Sequence, residues 1–367
     1  MIKNLTRTFA ILALSIFALS GCGEKTTNSA AVGDVQPEQE KFVWKLVTSW
    51  PKNFPGLGMA PEKFAKHVNA MSNGRLTVKV YGAGELVPGF QVFDAVSQGT
   101  VEMGHSGAYY WKGKIPASPI FSAIPFGMTA TEFNAWLHYG GGMELWQELY
   151  KPFGIKPLPG GSSGAQFGGW FKKEINSVAD LQGLKMRIPG IAGEVLKSAG
   201  GLPVTLTGGE IFSALQSGAI DATEWVGPYN DLAFGFYQAA DYYYSTVWHE
   251  PGTGLEFLIN QAAFDKLPSD LQAIVEVAAN AVNESTLAEY NARNNAALKT
   301  LVEEHGVKLR QFPAEVMQEL KQHTDALMVE QAAANKDFAR VWKSYSEFLA
   351  SMREYNKLTL QAYYENR

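Results

Sequence analysis

The sequence predicts an α/β protein of two similar domains around a cleft, with a long helix bracing both and a helical extension at the C-terminus. An internal repeat, an alternation of strands with helices, and a late helical run free of Gly and Pro predict it. Val92-Phe93-Asp94-Ala95-Val96-Ser97-Gln98-Gly99-Thr100-Val101-Glu102 matches Ile211-Phe212-Ser213-Ala214-Leu215-Gln216-Ser217-Gly218-Ala219-Ile220-Asp221 at a constant offset of 119 (211 − 92). Phe, Ala and Gly are identical and the apolar positions coincide. Each copy reads as an amphipathic helix ended by Gly and followed by a short buried strand. Upstream, a helix near Glu62–Met71 ends at Gly74 and leads to a strand over Leu76–Val80; the second half repeats this with Glu194–Ala199, Gly200-Gly201 and Pro203–Leu206.

The N-terminus carries Lys3 and Arg7, an apolar run from Phe9 to Leu19, and Leu19-Ser20-Gly21-Cys22. That order of charge, apolar run and small residues predicts a signal peptide over residues 1–21, too short for a membrane span. Cys22 is the single cysteine, so no internal disulfide and no Cys-based metal or redox motif can form. Its position matches a lipoprotein cleavage box, which predicts lipidation of Cys22 and a periplasmic, membrane-anchored protein. Removing Lys3 and Arg7 with the signal takes the net charge from −5 to −7 (−5 − 2). No basic patch argues for nucleic acid. Residues 22–41 are polar, cannot bury enough surface to fold, and should act as a tether spanning roughly 24 Å.

The body of about 325 residues is large enough for two domains, read as 42–164 plus 251–290 and 165–250 plus 291–336. Ligands in such sheets sit beyond the carboxyl ends of the strands, which aims Glu224-Trp225, after the Ile220–Ala222 strand, into the cleft. The matching place in the first half is Gly104–Trp111. A strand over Leu255–Asn260 follows Glu250. Ser269, with Gln272 three residues on, reads as a capping box opening a helix that can run to Glu304. The last helix, 337–367, carries Phe338, Trp342, Tyr345, Leu349 and Met352 at spacings of three and four, a stripe that predicts a homodimer interface.

Between Gly160 and Gly252 stand Gln166, Arg187, Glu224-Trp225 and Glu250. One guanidinium, two carboxylates and one amide suit holding an organic anion beside a hard cation, not breaking a bond. An arginine facing a cleft offers a planar fork to a carboxylate, and Glu224, set between strand residues and Trp225, wants a cation, either Arg187 or a metal ion. Other motifs are weaker. Gly160-Gly161-Ser162-Ser163-Gly164 fits GxSxG, but a hydrolase with Ser162 as nucleophile needs a helix next, and Gly168-Gly169-Trp170-Phe171 reads as turn and strand. His249-Glu250-Pro251 lacks the second His of HExxH. No catalytic residue is assigned.

The chain resembles the solute-binding subunits of tripartite ATP-independent periplasmic (TRAP) transporters, and more narrowly the branch that binds 2-oxo acids and related hydroxy acids with a metal ion. Glu85-Leu86-Val87-Pro88-Gly89, Tyr109-Tyr110-Trp111, Gly168–Phe171, Asp180–Arg187 and Asp221–Asn230 carry the resemblance. It implies the type II periplasmic-binding-protein fold, membrane subunits as partners, and a small carboxylate ligand. It further implies that Arg187 meets the ligand carboxylate, and that Gln166, Glu224, the Trp225 carbonyl and Glu250 hold the ion, with Tyr110 and Trp50 lining the ligand. Trp50 and Asn53-Phe54 fall in a first cleft loop that varies in the family, so ligand size does not carry over. Oxygen ligands suit Na⁺, Ca²⁺ or Mg²⁺. Two glutamates and a ligand carboxylate against Arg187 leave one negative charge with Na⁺ and none with Ca²⁺. A terminal helix can be exchanged between subunits in that branch. The rival reading is a sensory binding protein that presents its ligand to a receptor.

Overall fold

A computed structural model describes residues 40–367. The expected signal peptide, the Cys22 lipidation site and all but the last two residues of the tether lie outside the described residues.

Two sheets form the body. The first is built from β1 (Phe42–Thr48), α1 (Met59–Met71), β2 (Leu76–Tyr81), α2 (Val92–Ser97), β3 (Met103–Ser106), α3 (Ala130–Tyr139), α4 (Gly142–Tyr150) and β4 (Ile155–Gly164). The second follows with β5 (Gly169–Phe171), β6 (Lys185–Arg187), α5 (Gly190–Ser198), β7 (Leu202–Val204), α6 (Gly208–Ser217), β8 (Ala222–Thr223), α7 (Pro228–Phe234) and β9 (Tyr242–Tyr244). The chain then returns through β10 (Thr253–Asn260) and α8 (Gln261–Asp265) to the long helix α9 (Ser269–Glu303), and ends with β11 (Lys308–Arg310), α10 (Ala314–Ala334), α11 (Lys336–Asn356) and α12 (Ala362–Glu365).

The strand order is β2-β1-β3-β10-β4 in one sheet and β11-β9-β5-β8-β6-β7 in the other. β1 lies parallel between β2 and β3, and β3 then pairs antiparallel with β10. β6 lies parallel between β7 and β8, and β8 pairs antiparallel with β5. The repeat therefore reads out in topology: α2–β3 occupies in one sheet the place of α6–β8 in the other. The Gly shared by the two copies has a backbone reason. Gly99 and Gly218 both end their helices at positive φ, 71° and 80°, where a Cβ is penalised.

Side-chain period follows element type. β2 buries Leu76, Val78 and Val80 at period two. α1 buries Ala60, Phe64 and Val68 at spacing four, all in one core with Phe257, Leu271, Val275 and Val282. Farther along α9, Tyr290 and Leu301 enter a different core, with Trp170, Ile211 and Trp225. With 35 residues, α9 spans about 52 Å and braces both sheets.

Two expectations need correction. Pro268, not Ser269, precedes the first turn of α9, and no side chain caps it; Pro fixes the extended entry there, so the capping box does not form. β8 is two residues long and ends at Thr223, so Glu224 follows the strand as expected. The terminal stripe does not wait for another subunit. Phe338, Tyr345 and Leu349 are buried where α11 packs on α3 and α4. The Tyr345 hydroxyl accepts from the Met128 N–H at 2.7 Å, and Trp136 Nε1 donates to Ser344 Oγ at 3.1 Å. Only beyond Asn356 does the tail leave the body, with Leu358, Leu360, Tyr363 and Tyr364 exposed.

Gly160–Gly164 completes β4 and no helix follows it before β5, so Ser162 does not sit on a nucleophile elbow. Among the described residues no helix is long and apolar enough to cross a membrane.

Candidate functional site

The carboxyl ends of the parallel strands converge. Arg187 is the last residue of β6, Glu224 follows β8, Trp50 lies two past the end of β1, and Tyr110 sits in a one-turn 3-10 helix, Ala108–Trp111, after β3. The two segments by which the chain crosses between sheets supply the rest. Gln166 lies on the β4–β5 crossing and Glu250 on the β9–β10 crossing, and the Gln166 N–H donates to the Glu250 carbonyl at 3.0 Å. Gln166, Arg187, Glu224, Trp225, Glu250 and Trp50 are all buried. Burial of this many polar groups demands partners.

Arg187 finds most of its own within the protein. Nη1 ion-pairs with Glu224 Oε1 and reaches the Glu224 carbonyl at 3.3 Å; Nη2 donates to the Tyr110 hydroxyl at 3.2 Å, and Nε to the Leu206 carbonyl at 3.3 Å. The guanidinium also lies over the Trp225 ring, 5.0 Å from its centroid. Burial alone would lower its pKa, but the Glu224 charge and the neighbouring tyrosines outweigh it and hold Arg187 above its ordinary value.

The amide of Gln166 has a fixed orientation. Nε2 donates to Ser163 Oγ at 2.8 Å and to Thr253 Oγ1 at 3.0 Å. Oε1 on the opposite side is buried without a donor. A buried carbonyl-type oxygen without a donor fits a hard cation. The acids fit it too: burial, and then the Glu224 charge, push the Glu250 carboxyl up to about 7. Two clustered carboxylates of this kind gain from any nearby positive charge. Among the described residues no group of three or more His, Cys, Asp or Glu gathers as a metal cluster. Gln166, Glu224, Glu250 and the Trp225 carbonyl would hold such an ion, which would supply a fixed positive charge for an anionic ligand.

Aromatic side chains wall the site. Trp50 meets Tyr110 and Trp225, each with ring centroids 6.1 Å away. Its Nε1 donates to His105 Nδ1 at 2.8 Å, so Trp50 offers a ligand only its ring. His105 is neutral, lowered to about 4 by burial, and its Nε2 bonds the Gly160 carbonyl at 2.9 Å. Contacts across the cleft close the two lobes. Phe54 stacks on Phe234 at 4.2 Å, Asn230 Nδ2 donates to the Pro55 carbonyl at 2.8 Å, and Lys112 ion-pairs with Glu194.

Sequence reasoning missed Thr253, which orients both Gln166 and Glu250, and Tyr109, whose hydroxyl burial holds well above its usual range beside Tyr110 and Glu250. It also missed His249, buried with its Nε2 3.4 Å from Glu224 Oε2. A threonine three residues past Glu250 carries no pattern that marks it. His249, next to Glu250, was the one legible signal.

Fold and site together define a two-lobed solute-binding protein. The chain belongs to the DctP family, bacterial extracellular solute-binding protein family 7, which residues 46–335 match. It is 42% identical over 357 residues, 97% of this chain and 96% of the other, to a monocarboxylate 2-oxoacid-binding periplasmic protein of Nostoc sp.. A TRAP periplasmic solute-binding protein of Pseudoalteromonas atlantica with bound sodium and pyruvate superposes with a TM-score of 0.87 at 46% identity, over 89% of this chain and 100% of that one. A TRAP solute-binding protein of Bordetella bronchiseptica, a mixed-occupancy dimer with calcium and picolinate in its active site, gives 0.87 at 37% identity, over 89% and 97%.

Proposed function

We propose that this protein captures a small 2-oxo acid such as pyruvate, or a lactate-like hydroxy acid, together with Na⁺ or Ca²⁺, and delivers it to the membrane subunits of a TRAP transporter. Arg187 anchors the carboxylate, with Tyr110 beside it. Gln166, Glu224, the Trp225 carbonyl and Glu250 hold the ion, and Trp50 and Trp225 wall the ligand. The observation that carries this reading is the buried, donorless Gln166 Oε1 in the same site as Arg187. An amide oxygen wants a positive partner where an arginine wants a negative one, so the site calls for both together. The likeness to the pyruvate-binding and 2-oxoacid-binding relatives supports the ligand class. Closure of the lobes removes the ligand from water and strengthens each charged contact, and the ligand's preference for the closed form drives the shift. The role is capture, not catalysis.

Two finer points belong to the same reading. Cys22 anchors the mature chain to a membrane through a lipid, leaving the body in the periplasm. The tail beyond Asn356 pairs two copies, because Leu358, Leu360, Tyr363 and Tyr364 are exposed on it, a run of apolar surface unusual for a free helix end.

Native mass spectrometry of protein purified without added ligand tests the capture role. A complex carrying the added mass of a small 2-oxo or hydroxy acid plus one sodium or calcium supports it. A co-purified amine, sugar or peptide refutes it.

A further inference from the structure

The donor inventory of Arg187 contains a conflict. A guanidinium has five N–H donors, and four are engaged, by Leu206, Tyr110 and two oxygens of Glu224. Bidentate capture of a carboxylate needs two parallel N–H groups, and one remains. Tyr110 is a weak competitor, a single neutral hydroxyl. Glu224 is a strong one, a fully buried carboxylate in an ion pair with Nη1. While Glu224 holds Nη1, the fork that would seize a ligand is turned toward the protein's own acid.

We propose that Glu224 is exchanged between Arg187 and the cation, so that loading the ion frees Nη1 for the ligand carboxylate. The inference rests on the anion-plus-cation reading above. A carboxylate cannot leave Arg187 for an apolar wall, since an unpaired buried charge is costly. Glu224 can leave only for another positive partner, and Gln166 Oε1, free of any donor, already needs one. The cation thus acts as the key to the arginine as well as a contact for the ligand. By linkage the effect is reciprocal: a bound 2-oxo acid that occupies Nη1 sends Glu224 toward the ion and tightens its binding. Binding of either species alone is poor, and a cation-free protein is protected from filling with unrelated carboxylates.

Guanidinium-labelled NMR of the Arg187 side chain reads the exchange directly, because an ion-paired Nη shows slowed rotation and protected protons. Four samples of the wild type are compared: free, with Ca²⁺ alone, with pyruvate alone, and with both. The Nη1–Glu224 signature is expected in the free protein and to be lost with saturating Ca²⁺, with or without pyruvate, while calorimetry records pyruvate binding about tenfold or more tighter once Ca²⁺ is present. Glu224→Gln is expected to lack the signature in every sample and to show less than a twofold effect of Ca²⁺ on pyruvate affinity. An Nη1–Glu224 pair that persists in the ternary complex overturns the exchange. If pyruvate binds in no sample, the ligand reading has failed instead, and the Ca²⁺-alone sample still decides whether Glu224 moves.

Discussion

Thr253 gives its hydroxyl proton to Glu250 Oε2 at 2.6 Å, and so can meet Gln166 only as an acceptor. That one bond decides which end of the Gln166 amide is which. Nε2 must face Thr253, as it does at 3.0 Å, which leaves Oε1 as the end that is buried without a donor. Gln166→Met, of similar length but with no strong acceptor, is therefore expected to fold normally and to lose at least about tenfold in Ca²⁺ affinity, the range seen for disturbed metal shells. Thr253→Val frees the amide to rotate and should cost a smaller factor. Calcium calorimetry on the two variants checks the order; unchanged affinity in Gln166→Met removes Gln166 from the ion site.

Arg187→Ala is expected to lose about 3–5 kcal/mol of ligand affinity, about two to three and a half decades. It also leaves Glu224 buried without its strongest partner, so circular dichroism should accompany the titration. Arg187→Lys keeps the charge, loses the planar fork and should fall between. Tyr110→Phe removes one neutral bond and should cost about 0.5–1.5 kcal/mol. Near-native binding by folded Arg187→Ala would end the anchoring role.

Glu256 gives the protein a pH-dependent core away from the cleft. It is fully buried, accepts from Trp111 Nε1 and from the Tyr150 hydroxyl at 3.0 Å, and has no cation beside it among the described residues. Burial raises its pKa from 4.5 to about 8, against the opposing effect of the two hydrogen bonds. A carboxyl raised on folding binds its proton more tightly in the native state, so its stability contribution is complete below 4.5, declines as pH rises toward 8, and is gone above it. The drop should be on the order of a few kcal/mol. Thermal melts of wild type and Glu256→Gln between pH 5 and 9 should show the wild-type decline flattened in the variant. Parallel curves would remove Glu256 as the source.

Two truncations separate the parts of the C-terminus. Removing 357–367 takes away only the exposed tail, and light scattering should report a monomer with its fold and ligand binding intact. Removing 337–367 strips Phe338, Val341, Tyr345 and Leu349 from the core, at about 1.5–3 kcal/mol for each large side chain, and should unfold or strongly destabilise the body. A dimer that survives the first truncation places the interface elsewhere.

The features legible in the sequence were those with a local or periodic cause. The repeat announced two matching sheets because Gly99 and Gly218 each need positive φ after a helix of the same apolar pattern. Arg187 and Glu224 were legible because strand ends in such sheets face a ligand. What escaped depends on distant partners. Tyr345 reads as an unpartnered aromatic in sequence, and its partner is the Met128 N–H, 217 residues away. Thr253 matters only because the two crossing segments lie side by side. The sequence leaves both Arg187 and a metal ion open as partners of Glu224, and the Arg187 contact itself, across 37 residues, follows no local pattern.

Calorimetric titration of pyruvate into the metal-stripped protein in sodium-free buffer, repeated with Na⁺ or Ca²⁺ restored, tests the central claim most directly. Weak or undetectable binding without the cation and saturable one-to-one binding with it is the expected result. Equal affinity in all three buffers, or no binding in any of them, would contradict it.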